Sequence, residues 1–465
     1  MIDLDSGLGA DDHMLRPLEA IPSDLPDVEA AARLPRGFRV AGTHAGIKAS
    51  GDKDLGLVLV EGDPAAVATT FTTNRLPAAP VQLNQEHLAE SAPSGDGRYG
   101  WASAMIATSG CANAATGPDG LADQCSLAFT LAAAARTKPS HTLAMSTGLI
   151  GTRLPVERVA AAITATISDG LGDDDRSYAD LAEALRTTDS RAKAAAVSMT
   201  LPAADGTPVA VTISGVAKGV GMIHPGMATM LCFMLTDASV EPAALHRMLR
   251  PVVAHTWDQI SVDGDQSTND TVLVAASGAS GAMPLVAGSD DEATFARALQ
   301  AVARSLARQQ VADGEGAATL IGCVVSGATD DVDARAAARK VIASSLVKTA
   351  IHGADPNWGR IAAAVGNARA APPEVLAAAG LDEDAAQARG GRPIELRPER
   401  LRIDLQGVPV FGGGPIPFDE PALSERMRRP EVLIRIDLGL GGGQGEAFGC
   451  DLTERYVIEN SEYST

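Results

Sequence analysis

Short runs that are apolar at nearly every position alternate along this chain with longer runs whose apolar residues recur every three or four places, the periods of buried strands and amphipathic helices. From Leu34 onward, LGLVLVE, AVATTFTT and APVQL read as strands joined by Gly, Asp and Pro turns, and SAPSGDGRYG as a surface loop. Helices are expected at QCSLAFTLAAAART, PVERVAAAITATI and YADLAEALR, with TPVAVTISGVA and MLCFMLTDA as strands on either side of a glycine-rich turn. The second half carries helical spacing at EPAALHRMLRPVVAHTW, DEATFARALQAVARSLARQQ and DVDARAAARKVIASSLVKTAIH. Strands are expected there at NDTVLVAAS, TLIGCVVSG, LRIDL, EVLIRIDL and AFGCDLTERYVIE. Runs of paired strands separated by runs of helices predict an α+β layered sandwich followed by a C-terminal α/β lobe. The Pro- and Gly-containing GAMPLVAGSDDE divides them into 33–288 and 289–465. Residues 1–32, with eight acids, one Arg and three prolines, read as a flexible acidic extension outside the fold. The run GLGGGQG fails the G-x-G-x-x-G spacing at Gln444 and is read as a hairpin turn.

Composition narrows the function. Aromatics are only 3% of the 465 residues, so the cores rest on Ala, Val, Leu and Ile. A net charge of −20 repels a phosphate backbone and excludes nucleic acid as a partner. The five cysteines are scattered, with no C-x-x-C pair and no His at ligand spacing, so neither a disulfide framework nor a metal site is expected. No stretch is apolar enough to span a membrane, and the acidic start lacks the basic region of a signal peptide, which points to the cytoplasm.

No G-x-S-x-G elbow, Walker loop, H-E-x-x-H or kinase signature occurs. The unusual segment is KGVGMIHPGMATML, dense in Gly and Met, which enters an apolar strand at Ala228 and Thr229. A Thr in that position is ordinarily just a β-branched residue opening a strand. Its chemical alternative is self-cleavage: the Thr229 hydroxyl attacks the Ala228 carbonyl, and hydrolysis of the ester frees a new N-terminus. That α-amine, with an ordinary pKa of about 7.7 to 8.0, takes the proton of its own hydroxyl near neutrality, so one residue supplies nucleophile and base.

From Leu34 to Thr465 the chain resembles the ornithine acetyltransferases, bifunctional enzymes of arginine biosynthesis. The resemblance rests on GFRVAGTHAGIKASGDKDLGLVLV, FTTNRLPAAPV, TSGCANAATG, STGLIG, KGVGMIHPGMATML, SVDGDQSTNDTVL, GADPNWGRIAAAVG, GCDLTERYV and ENSEYST, all in order. It implies an αββα-type sandwich of the N-terminal-nucleophile kind, cleavage between Ala228 and Thr229, and Thr229 as nucleophile. It implies an oxyanion hole at Thr147 and Gly148, and substrate contacts at Thr187, Lys218, Thr229, Glu315, Asn460 and Thr465. Lys218 suits a substrate carboxylate and Glu315 an ammonium. The implied reaction is a ping-pong exchange between N-acetylornithine and glutamate without a cofactor, acetyl-CoA being a second acetyl source in some members. The implied assembly is a heterotetramer of the cleaved chains.

The chain departs from the family's usual pattern at His224 and Gly226 beside the M-A-T motif, at Arg191-Ala192 after the T-T-D motif, and at Cys111. Two alternatives follow: a specialised-metabolism relative or N-terminal-Thr amidohydrolase acting on another N-acyl amino acid, and a protein that binds without cleaving. His224 reads most simply as a turn residue and otherwise as a proton carrier near neutrality. HGADPNWGRI is read as a structural turn. SVDGDQSTND lacks EF-hand spacing and is read as a turn and buried polar network.

Overall fold

The computed structural model describes residues 25–224 and 230–462. Two sheets stack face to face. One holds four strands in the order Phe38–Thr43, Leu55–Val60, Ala104–Cys111 and Thr142–Leu149. The other holds six, in the order Tyr99–Ala102, Ala65–Phe71, Thr271–Ala276, Leu231–Thr236, Pro208–Lys218 and Lys193–Pro202. The period of two assigns the faces. Leu231, Phe233 and Leu235 point into the core between the sheets with Val58, Met105 and Leu143. Cys232 and Met234 point the other way, onto the helices Pro242–His255 and Asp290–Ala312. On the four-stranded sheet, Leu55, Leu57 and Ile106 meet the helices Gly117–Ala135 and Val156–Asp169. The result is helix, sheet, sheet, helix, the αββα sandwich, and a strand buried on both faces explains why MLCFML has no polar alternation.

The C-terminal lobe is a second six-stranded sheet, ordered Ile260–Ser261, Gly443–Cys450, Leu320–Ala328, Glu431–Asp437, Arg402–Leu405 and Val408–Gly412. Its core packs Ile321, Cys323, Ile434 and Ile436 against Ala337, Val341 and Ile361. All five cysteines are free, and no helix among the described residues is long and apolar enough to cross a membrane.

Several elements differ from the sequence reading. APVQL opens the helix Ala79–Ser91: Pro80 sits in its first turn, where no N–H is needed, and Val81, Asn84, His87 and Leu88 share its buried face. AFGCDLTERYVIE is a strand only to Cys450, and Glu454–Glu462 is helical. DVDARAAARKVIASSLVKTAIH is two helices, the second capped by Ser344. GLGGGQG makes no hairpin, because Leu320–Ala328 lies between the two strands it joins. The helix Asp290–Ala312 buries Phe295, Leu299 and Val302 in the core of the preceding sandwich, so a division at 288/289 cuts through that core. Within the expected extension, Glu29 exchanges two backbone bonds with Ala196 at the sheet edge.

Candidate active site

One cavity of about 120 Å³ is lined by Thr147, Gly148, Thr187, Lys218, Glu315 and Asn460, together with Thr188, Gly221 and the 267–269 loop. These residues come from distant parts of the sequence: Thr147, Gly148 and Lys218 stand near strand ends of the two stacked sheets, Thr187 precedes the strand Lys193–Pro202, Glu315 follows the helix Asp290–Ala312, and Asn460 lies on the helix Glu454–Glu462. Ala228, Thr229 and Thr465 lie outside the described residues. The strand Pro208–Lys218 pairs with Leu231–Thr236 so that Lys218 faces Leu231. The connection between them contains the Ala228-Thr229 pair, and its described end, Met230, donates its N–H to Asp270 Oδ1 at 3.1 Å.

Thr147 and Gly148 end a strand parallel to Ala104–Cys111, at a register shift beside Gly110 and Cys111. Gly148 has φ 126°, and a Cβ there would stand 2.3 Å from the Gly110 carbonyl carbon, so only glycine lets the two backbones meet. Thr147 is 3% exposed and its Oγ1 accepts from Lys218 Nζ at 3.1 Å. An ammonium has no lone pair to take a proton, so the Thr147 O–H stays free to donate to another acceptor.

Lys218 is buried rather than solvated. Burial lowers its pKa; the nearest carboxylate, Asp189 at 3.9 Å, opposes that shift only from beyond hydrogen-bond distance. Asp189 is the hub of the surrounding network. It accepts from Lys193 Nζ at 2.6 Å, the Gly219 N–H at 2.8 Å and the Thr187 N–H at 3.1 Å. Burial alone would raise its pKa, but Lys193, Lys218 and the Gly219 N–H together hold the carboxylate far below its ordinary range. Lys193 is also held by Asp313 at 2.6 Å.

At the other end of the cavity, Glu315 accepts from Thr188 Oγ1 at 2.8 Å and Asn460 Nδ2 at 2.9 Å. Gly221 makes room, since a Cβ there would come within 2.2 Å of Glu315 Oε2. The cavity thus presents an ammonium with a hydroxyl at one end and a carboxylate at the other, matching a ligand that carries both charges.

The sequence reading missed Asp189, Lys193, Asp313 and Asn269. The T-T-D motif holds Asp189, but its partners stand elsewhere in the chain. Asn269 donates to the carbonyls of Ala112 and Ser146 at 2.7 and 2.8 Å, tying the pocket's loop to the four-stranded sheet. SVDGDQSTND is an exposed turn at Gly264–Gln266 followed by a buried polar network over Ser267, Thr268, Asn269 and Asp270. HGADPNWGRI is a capped turn: Asn357 Oδ1 accepts from the Arg360 N–H, and Trp358 packs on Phe411. His224 Nδ1 lies 3.3 Å from Ser261 Oγ, and burial, with Arg339, presses its pKa down to about 4. Cys111 is buried, its thiol bonding to the Thr152 carbonyl. Among the described residues no group of three His, Cys, Asp or Glu is arranged to hold a metal.

A family model described as the ArgJ family matches residues 39–465. The arginine biosynthesis bifunctional protein ArgJ of Deinococcus radiodurans is 40% identical over 441 residues, covering 95% of this chain and 99% of that protein. Its counterpart in Thermus thermophilus is 41% identical over 435 residues, covering 94% of this chain and 100% of that protein. Among solved structures, the ornithine acetyltransferase of Mycobacterium tuberculosis, complexed with ornithine, is 35% identical with a TM-score of 0.37, covering 44% of this chain and 98% of that one.

Proposed function

The chain belongs to the ArgJ family, and from that premise we propose that it is a self-processing glutamate N-acetyltransferase that passes an acetyl group from N-acetylornithine to glutamate. Cleavage between Ala228 and Thr229 frees the Thr229 amine. Thr229 Oγ attacks the acetyl carbonyl while its proton passes through that amine to the leaving nitrogen; the amide C–N bond breaks and ornithine departs. The glutamate amine then attacks the acyl-Thr229 ester, restoring the hydroxyl and releasing N-acetylglutamate. In both steps the developing oxyanion is met by Thr147 Oγ–H and the Gly148 N–H. Lys218 polarises that hydroxyl and takes a substrate carboxylate, Glu315 takes the ammonium of the donor, and Thr187, Asn460 and Thr465 complete the substrate contacts. The processed chains assemble as a cytoplasmic heterotetramer, and the exchange calls for no cofactor.

The observation that carries this reading is the single cavity in which Thr147, Gly148, Thr187, Lys218, Glu315 and Asn460 converge at the Lys218–Leu231 strand ends. Denaturing mass spectrometry tests it first: the wild type should give two fragments, the C-terminal one starting TMLCF, and Thr229→Ala one intact, inactive chain. Intact chain in active protein would sink the mechanism. With labelled N-acetylornithine, label should move to glutamate; release as free acetate whether or not glutamate is present would favour the amidohydrolase.

A further inference from the structure

A second cavity, of about 520 Å³, shares no lining residue with the first. It is walled by the end of the strand Ala65–Phe71, the helix Pro242–His255 and the short helix Pro373–Ala378. Two deeply buried side chains on its wall have a polar atom without a partner among the described residues: Thr70 Oγ1, in a residue 5% exposed, and Asp258 Oδ1, in a residue 2% exposed. A buried carboxylate oxygen left without a donor is costly, and a ligand N–H supplies one. The other Asp258 oxygen faces Arg250 Nη2 at 3.4 Å.

Three guanidiniums line this cavity in a chain of net charge −20: Arg250, and at the exposed side Arg98 and Arg247. The latter two have rim pairs with Asp96 at 3.6 Å and Glu292 at 3.1 Å, which solvent screens and which leave guanidinium N–H groups to spare. Between them His246 is kept neutral, burial first and then Arg98 and Arg250 pressing its pKa down to about 4. We infer that this cavity is a second ligand site, taking a dicarboxylate that also carries an N–H donor. The N–H meets Asp258 Oδ1 and Thr70 Oγ1, and the carboxylates meet the arginines. An acidic amino acid and its N-acyl derivative share that chemistry.

The strand end that walls this cavity also bonds to the loop that walls the first. The Thr72 N–H donates to the Asp270 carbonyl at 3.0 Å, its hydroxyl to the Ser267 carbonyl at 2.6 Å, and Asn74 Nδ2 to the Gln266 carbonyl at 3.3 Å. Ser267 and Asn269 line the first cavity, so the two cavities stand on either side of this contact.

Equilibrium dialysis of the processed full-length protein against labelled L-glutamate and, separately, N-acetyl-L-glutamate tests the site. The arm that binds should show one equivalent per protomer that is lost in Thr70→Val and in the Arg98→Gln, Arg247→Gln double variant, and glutarate, with no N–H, should compete at least about tenfold more weakly. The His246 imidazole, followed by NMR, should titrate above its value of about 4 when that ligand is bound, and not in Thr70→Val. Binding unchanged in both variants, or a His246 titration that no ligand moves, would overturn the site; glutarate competing equally would overturn the role of Asp258 and Thr70. None of these readouts needs turnover: if the acetyl-transfer reading fails, the Thr70-sensitive equivalent still appears, as the only one.

Discussion

The charges around the first cavity and those that tie the helix Asp290–Ala312 to the C-terminal sheet are similarly removed from water but differently matched. Arg304 meets both oxygens of Glu446, at 2.5 and 2.8 Å, and Arg308 meets Glu431 at 3.0 Å. Both guanidiniums lie over the Phe448 ring. Each cation there has a carboxylate at hydrogen-bond distance, as Lys193 has two. Lys218 has a hydroxyl at 3.1 Å, its nearest carboxylate at 3.9 Å, and an open cavity. A cation matched by a carboxylate at hydrogen-bond distance holds elements together, whereas a buried ammonium short of one is poised for a ligand that brings it.

Removing the hub should have the largest effect. Asp189→Asn leaves Lys193 with one carboxylate and Lys218 with no near one, at a cost of about 3–5 kcal/mol in urea unfolding, the range for stripping a buried charge of its partner. The sign with pH is fixed by the direction of the shift. Asp189 has a folded pKa below its unfolded one, so its contribution is present above about pH 4 and is lost as the pH falls further. The gap between wild type and Asp189→Asn should therefore narrow in acid; a gap independent of pH would mean that the carboxylate charge is not what stabilises.

Thr147→Ala should come next, lowering kcat by about 10²–10³ with little change in unfolding, as for loss of one oxyanion donor. Thr147→Ser should recover most of it, which separates the hydroxyl from the packing of the methyl group. An unchanged kcat in Thr147→Ala would remove the Thr147 hydroxyl from the proposed oxyanion hole.

Lys218→Met and Arg304→Met then set the two regions against each other. The Arg304 change strands Glu446 and should cost stability while leaving KM alone. The Lys218 change removes a charge whose burial is poorly repaid, so stability should hold or rise while KM increases about tenfold or more, the worth of a charge-assisted bond. Because burial depresses the folded pKa of Lys218, the unfolded chain binds more protons between that value and about 10.4, and stability rises with pH across that window. Lys218→Met should flatten the rise.

The difference between the regions also explains what could be read from the sequence. Leu231–Thr236 is legible because both its faces are buried, which writes an unbroken apolar run. Ala104–Cys111 and Thr142–Leu149 are not, because their ends carry Ser, Thr and Gly; Thr108 Oγ1 bonds to Ser146 Oγ at 2.9 Å inside the core, and no period shows that pairing. The residues that motifs single out, Thr147, Gly148, Thr187, Lys218, Glu315 and Asn460, line one cavity. Their support does not show, since Lys193 and Asp313 stand 120 residues apart and only folding makes them neighbours. The helix Ala79–Ser91 hid for a local reason: the strand read at APVQL ended at Leu83, before Asn84, whose buried amide bonds to both the N–H and the carbonyl of Ala144.

The smallest effect belongs to His224, where the sequence left two readings open. A proton carrier near neutrality needs a pKa close to the working pH. Burial and the field of Arg339 hold this imidazole at about 4, so between pH 6 and 8 it stays neutral, within reach of Ser261 Oγ. On the proposed mechanism, an amine freed at Thr229 by cleavage, with an ordinary pKa of about 7.7 to 8.0, is the group that would titrate in the working range. The kcat/KM profile of His224→Gln should therefore superimpose on the wild type between pH 6 and 8, with any loss confined to a uniform offset from the altered turn. A profile whose acid limb moves in His224→Gln would make the imidazole part of the proton path, and would place a second titrating group beside the buried charges of the first cavity.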